Sequence, residues 1–214
     1  ISWNAEAAQK SGYRHFMLKE IHEQPRAIAD TLNGRLENNH VVFEKEFGLE
    51  NSFLKNVKRI VILACGTSWH AGLIGEFMLE ELAKIPTEVE YASEFRYRHA
   101  LLGKETLVVA ISQSGETADT IAALKEAKKY GVKTLSICNV VGSSITRISD
   151  GVIYTRAGPE IGVASTKAFT TQLAVLYLFT IMLAKLRKTL NEGQIKDMIS
   201  GIRKIPLQLQ SVLD

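Results

Sequence analysis

Leu107-Val108-Val109-Ala110-Ile111-Ser112-Gln113-Ser114-Gly115-Glu116-Thr117-Ala118-Asp119-Thr120 is the stretch on which the reading of this chain turns. Leu107 to Ile111 are consecutive apolar residues, the pattern of a strand covered on both faces. A hydroxyl-rich turn follows, and Thr117 opens an amphipathic helix. The first backbone N–H groups of a helix have no partner inside it, and the helix dipole puts partial positive charge there. Strand, small polar turn and helix start therefore make a place for an anion. Ser112, Ser114 and Thr117 offer hydroxyls, Gln113 an amide, and Gly115 lets the backbone come close to a ligand. The turn holds no Lys or Arg, and the chain has no GxxxxGK followed by Ser or Thr. That favours a small phosphate ester over a nucleoside triphosphate. Glu116 must point its charge away from such a ligand. Taken alone, the stretch reads equally as a strand and an N-capped helix.

The design recurs. Lys58-Arg59 lead into Ile60 to Ala64, then Cys65-Gly66-Thr67-Ser68, then a helical pattern from Trp69 to about Lys84. Ile161-Gly162-Val163-Ala164-Ser165-Thr166-Lys167 opens a long apolar helix. In an open parallel sheet the turns at the carboxyl ends of strands gather on one edge, where ligands bind. The pattern predicts strands over about 58–64, 87–91, 106–111, 133–138 and 152–155. Helices are predicted over 69–84, 117–130 and 165–187, with short ones near 93–99 and 144–149. Gly131 after Tyr130 fits a left-handed helix cap. This alternation implies an α/β fold: a three-layer αβα sandwich on a mainly parallel five-stranded sheet, with right-handed crossovers.

Residues 1–56 read as an N-terminal helical segment, 57–190 as the sandwich, and 191–214 as a C-terminal helical segment that Pro206 interrupts. Phe16, Ile21, Ile28, Leu32 and Leu36 are spaced loosely as one apolar face over two helices, with Pro25 in the first turn of the second. Asn33-Gly34 and Asn38-Asn39 mark breaks.

A chain of 214 residues can bury a large core as one domain with additions. Its net charge of +3 is small and both signs are interspersed, so nucleic acid is not an expected partner. Cys65 and Cys138 both end apolar runs, the setting of buried free thiols. Their count and spacing fit neither a disulfide framework nor a metal site. With no signal peptide in the sequence, the expected location is the cytoplasm. Thr170, Thr171 and Gln172 interrupt the most apolar stretch, 168–184, which reads as a core or subunit-interface helix and not a membrane span. The start at Ile1, without methionine, reads as a piece of a longer protein.

The three turns resemble the phosphosugar-binding motifs of sugar isomerase (SIS) domains. They are most similar to the isomerase domain of the glutamine–fructose-6-phosphate aminotransferases. Tyr13-Arg14-His15-Phe16-Met17-Leu18-Lys19-Glu20-Ile21 running into Glu23-Gln24-Pro25, Ala92-Ser93-Glu94-Phe95-Arg96-Tyr97-Arg98, and Ile137-Cys138-Asn139-Val140-Val141-Gly142-Ser143-Ser144 carry the same resemblance. It runs from about Trp3 into the last helices.

The resemblance implies a site for a hexose 6-phosphate built from Cys65, Gly66, Thr67, Ser68, Ser112, Gln113, Ser114, Thr117, Val163 and Ser165, with Val163 acting through its backbone. It implies no organic cofactor and no metal. In the family a glutaminase domain releases ammonia from glutamine, and a pair of SIS domains joins it to fructose 6-phosphate, giving glucosamine 6-phosphate. The proton-moving and ring-opening groups belong to the second SIS domain and the C-terminal tail. This chain corresponds to the first SIS domain, so no catalytic residue is assigned to it. It is expected to bind sugar phosphate without full activity, inside a homodimeric parent. A sugar-phosphate deaminase or isomerase of the same type, and a non-catalytic phosphosugar sensor, are the alternatives.

Several residues keep two readings. Cys65 is a buried thiol or a ligand contact, and nothing beside it lowers its pKa as a nucleophile needs. Ser165 is a sugar contact, an N-cap, or both. Lys167, a cation in a helix's first turn, reads as paired or solvated, or as a sign of an anion nearby. His70 is a surface histidine or an acid–base group. Arg14, His15 and Lys19 read as interface residues.

Overall fold

A computed structural model describes residues 9–214. The first eight residues, including Trp3 where the resemblance begins, lie outside the described residues.

Five strands form one sheet: β3 (Arg59–Ala64), β4 (Thr87–Tyr91), β5 (Thr106–Ser112), β6 (Lys133–Cys138) and β7 (Gly151–Tyr154). β1 (Leu36–Glu37) and β2 (His40–Val41) pair elsewhere as an antiparallel hairpin. The sheet order is β4-β3-β5-β6-β7, and every neighbouring pair is parallel. The expected "mainly parallel" sheet is thus parallel throughout. Every residue of central β5 is buried.

Alternate residues along the strands feed two cores, because successive side chains point to opposite faces. Ile60, Ile62, Leu107 and Val109 join Leu176, Phe179 and Leu183 on one face. Val61, Leu63, Val108 and Ala110 join Phe95, Ala123, Leu124 and Ala127 on the other. The first face is covered by α3 (Asn51–Asn56), α4 (Gly66–Met78) and α8 (Lys167–Arg187), the second by α5 (Ala92–Phe95), α6 (Ala118–Lys129) and α7 (Ser144–Ile148). This is the three-layer sandwich expected from the alternation. α8 is long and apolar enough to cross a membrane, yet most of it is buried inside the fold.

Outside α8 lie α2 (Gln24–Leu32) and α9 (Glu192–Leu213), which share clusters with it: Ile28 and Leu32 with Leu178 and Ile202, and Ile181 with Ile195 and Ile199. This packing carries α9 straight through Pro206, which does not interrupt it. A proline inside a helix costs about 3 kcal/mol. Ile202 before it and Leu209 after it both pack on the same cluster, and full burial of one such side chain returns about 1.5–3 kcal/mol.

The N-terminal segment is less helical than expected. After α1 (Phe16–His22) and α2, Leu36 lies in the hairpin. Asn38 and Asn39, read as a break, are its turn, with φ of 44° and 59°. Two successive left-handed residues are what a tight hairpin turn demands. A 3-10 turn at Lys45–Phe47 follows. Buried Arg35 fastens this segment to the sheet, donating to Glu44 Oε1 at 2.6 Å and to the Tyr154 carbonyl at 2.6 Å. Burial pulls its pKa down, and Glu44 opposes that pull.

Candidate functional site

The carboxyl ends of the strands open into a cavity of about 430 Å³, walled by the three turns singled out in the sequence. All ten residues of the expected site line it.

The first wall is the turn from β3 into α4. Cys65 is extended at the N-cap and makes no side-chain cap, so the helix start stays open at Gly66 and Thr67. α4 begins three residues earlier than the periodicity predicts and ends in a π turn at Leu79–Ala83. Ser68 is buried, and its Oγ accepts from Gln172 Nε2 at 3.0 Å. Its own O–H is left to donate into the cavity.

The second wall is the turn from β5 into α6. Ser112 Oγ accepts from the Gly115 N–H at 3.0 Å and lies 3.3 Å from Thr117 Oγ1. Ser114 Oγ accepts from the Glu116 N–H at 3.2 Å. Gly115 has φ +68°, and a Cβ there would overlap Ser143 Oγ and Cys138 Sγ. Only glycine permits both that backbone and that approach. Thr117 is the N-cap of α6 without a side-chain cap bond, so this helix start is open too. Glu116 points away as expected, its Oε1 accepting from the Ser144 N–H at 2.7 Å. The hydrogen bond from Ser144 holds the Glu116 carboxyl below its ordinary pKa, keeping it charged. Nearby, Arg96 pairs with Asp119 of α6 at 2.7 Å.

The third wall differs. α8 begins at Lys167, and its N-cap is Thr166, not Ser165. Its open N–H groups are taken by Glu160, a residue the sequence reading missed. Glu160 Oε1 accepts from Thr166 N–H at 2.8 Å and Ala168 N–H at 3.1 Å, and Oε2 from Ser165 Oγ at 3.0 Å. A carboxylate thus occupies the place where an anion would bind. Val163 and Ala164 stand exposed at the cavity. Among the described residues Glu160 is the one charged side chain in the lining, and Thr120 the one further hydroxyl the reading did not include.

Lys167 and His70 now resolve to one reading each, while Cys65 keeps both. Cys65 is half-buried, lines the cavity, and its sulfur lies 4.0 Å from Thr120 Oγ1. Cys138 sits buried beneath the second turn, and burial pushes its thiol pKa up. Lys167 is buried and paired with Glu23 at 2.6 Å. His70 is exposed, packs edge-on against Trp69 and does not line the cavity. Among the described residues no group of three or more His, Cys, Asp or Glu is arranged to hold a metal ion.

The SIS domain family matches residues 53–182. The glutamine–fructose-6-phosphate aminotransferase (isomerizing) of Caldanaerobacter subterraneus subsp. tengcongensis is 50% identical over 214 residues, all of this chain and 35% of that protein. The enzyme of the same name from Methanosarcina acetivorans is 51% identical, again over 100% of this chain and 35% of the relative. Among solved structures, the C-terminal domain of glucosamine-fructose-6-phosphate aminotransferase from Francisella tularensis superimposes with a TM-score of 0.87 at 44% identity, covering 93% of this chain and 56% of that one. The chain spans about a third of the length of the curated relatives it matches. Fold, matched span and identity agree: the chain belongs to the SIS domain family.

Proposed function

We propose that this chain is the first SIS domain of a glutamine–fructose-6-phosphate aminotransferase (isomerizing), a glucosamine-6-phosphate synthase, and that it binds a hexose 6-phosphate. The phosphate lies against the starts of α4 and α6, held by Thr67, Ser68, Ser112, Gln113, Ser114 and Thr117. The sugar lies toward Val163 and Ser165, with Cys65 and Gly66 closing the other side. One observation carries this reading: two walls of the cavity leave their helix starts open, and the third has its start filled by Glu160. A monoester with one anionic end and one neutral, hydroxyl-bearing end matches that asymmetry. Each bond to a charged phosphate contributes about 1.5–3 kcal/mol, so neutral donors suffice without a cation.

The site as described lacks a charged group free to move a proton between C1 and C2 of the sugar, since Glu160 is engaged by the α8 start. The domain therefore binds and orients. The acid–base groups come from a second SIS domain of the parent chain, ammonia from its glutaminase domain, and the whole works as a cytoplasmic homodimer. Within the chain, 57–190 is the SIS domain and 1–56 and 191–214 are its flanking segments. Calorimetric titration with fructose 6-phosphate tests the reading. Saturable binding tighter than inorganic phosphate, lost in Ser112→Ala, is the expected result. Turnover of fructose 6-phosphate and ammonia by the chain alone would contradict the division of labour.

A further inference from the structure

The stretch Tyr13–Ile21 running into Glu23 carries part of the family resemblance, yet none of it lines the cavity. Its acidic side chains bond to the third wall, Glu20 at Ile161 and Gly162 and Glu23 at Lys167. Glu20 is 2% exposed. The Ile161 N–H donates to its Oε1 at 2.6 Å, and the Gly162 N–H lies 3.2 and 3.1 Å from its two oxygens. A buried carboxylate needs such donors, and bonds to an ionised acceptor are the strong ones. A Cβ on Gly162 would stand 2.6 Å from Glu20 Oε2, so glycine is what lets the carboxylate in. Just beyond, Glu23 accepts from Lys167 at 2.6 Å and has Lys19 3.4 Å from its other oxygen. Glu160 holds the opposite end of the same loop through Thr166 and Ala168. Between the two grips, Val163 and Ala164 make no backbone hydrogen bond among the described residues.

We propose that Glu20 is a positioning residue for sugar recognition. With Glu160 it clamps the loop at both ends and presents Val163–Ser165 already in shape, so the N-terminal helix is a working part of the site. A loop ordered before the ligand arrives loses little conformational freedom on binding. The clamp acts on the sugar end alone, because the phosphate end is built from α4 and α6.

This inference rests on the hexose 6-phosphate reading, and its test separates the two. Fructose 6-phosphate and inorganic phosphate are titrated into wild type, Glu20→Gln and Gly162→Ala, and exchange of the Ile161 and Gly162 amides is followed in the unliganded proteins. Glutamine keeps the size of the side chain but turns an N–H₂ toward a backbone donor. Alanine pushes the carboxylate off from the other side. Both variants are expected to lose about tenfold in fructose 6-phosphate affinity, the effect of one charge-assisted bond, with phosphate affinity unchanged. Both are expected to exchange these amides faster. Equal loss for both ligands, or none for either, overturns the clamp. If wild type binds no hexose phosphate, the functional reading fails, and the amides judge the clamp alone: unaltered protection in both variants overturns it.

Discussion

The two edges of the sheet are built from the same strands and end differently. At the amino edge charged side chains pair with one another within the chain. Asp150 accepts from the Thr134 N–H at 2.8 Å and its hydroxyl at 2.7 Å, with Lys128 at 3.3 Å. Arg59 bridges Glu88 at 2.5 Å and the Leu101 carbonyl at 2.8 Å, and Lys58 pairs with Glu105 at 2.9 Å. At the carboxyl edge, two helix starts and a set of hydroxyls face a cavity with bonding capacity to spare. The topology collects the turns on one edge. The site arises because small residues in those turns leave donors over, where the amino edge spends charged side chains on one another. Mutations at the carboxyl edge should therefore change binding, and mutations at the amino edge should change stability.

The largest effect is expected where the carboxyl edge meets the core. Gly115→Val combines a strained left-handed backbone with a collision against Ser143 and Cys138. Chemical denaturation should show a loss of about 2–5 kcal/mol, together with loss of sugar-phosphate binding. Unchanged stability would mean that the turn is looser than described. Thr117→Val sharpens the comparison, since among the described residues the threonine hydroxyl has one hydrogen-bond partner, Ser112 Oγ at 3.3 Å. Affinity for fructose 6-phosphate should fall about tenfold with the unfolding midpoint almost unmoved.

The reciprocal test is Asp150→Asn at the amino edge, with a stability loss of about 1–2 kcal/mol and unaltered binding. Its pH dependence has a definite sign. Burial alone would raise the Asp150 pKa, but the Thr134 and Lys128 bonds outweigh it, and the folded value lies below the ordinary one. A depressed carboxyl stabilises the fold fully above its unfolded pKa, about 3.9, and the contribution is lost as pH falls through the folded value. Wild type should lose stability across that acid window more steeply than Asp150→Asn, measured by denaturant midpoints from pH 6 downward. The smallest effect concerns the two thiols. Iodoacetamide should label half-buried Cys65 before Cys138, whose thiol burial holds protonated, and fructose 6-phosphate should slow only the Cys65 reaction.

What was legible in the sequence follows from range. The strands of the sheet are local apolar runs, and β4 and β6 fall where the pattern puts them. Ten of the lining residues were legible because each turn carries its own glycine and hydroxyls next to a helix start, although the third turn lies well past the end of β7 at Tyr154. The hairpin at Leu36–Val41 was not, since its strands are two residues long and the buried Arg35 that anchors the region reaches β7 across 119 positions. Pro206 gave a local signal to break that tertiary packing overrides. Glu160 left one faint signal, an acidic residue just before a helix start. Glu20 left none of its own, because its partners lie 141 and 142 residues away.

The most direct test is a map of backbone amide shifts on titration with inorganic phosphate and then with fructose 6-phosphate. Phosphate should move the amides of residues 66–68 and 115–120 and leave 161–168 in place, whereas the sugar phosphate should move 163–165 as well. Phosphate shifts concentrated at the α8 start, or shifts at the amino edge around Thr134 and Asp150, would contradict the assignment of the open helix starts to the anion.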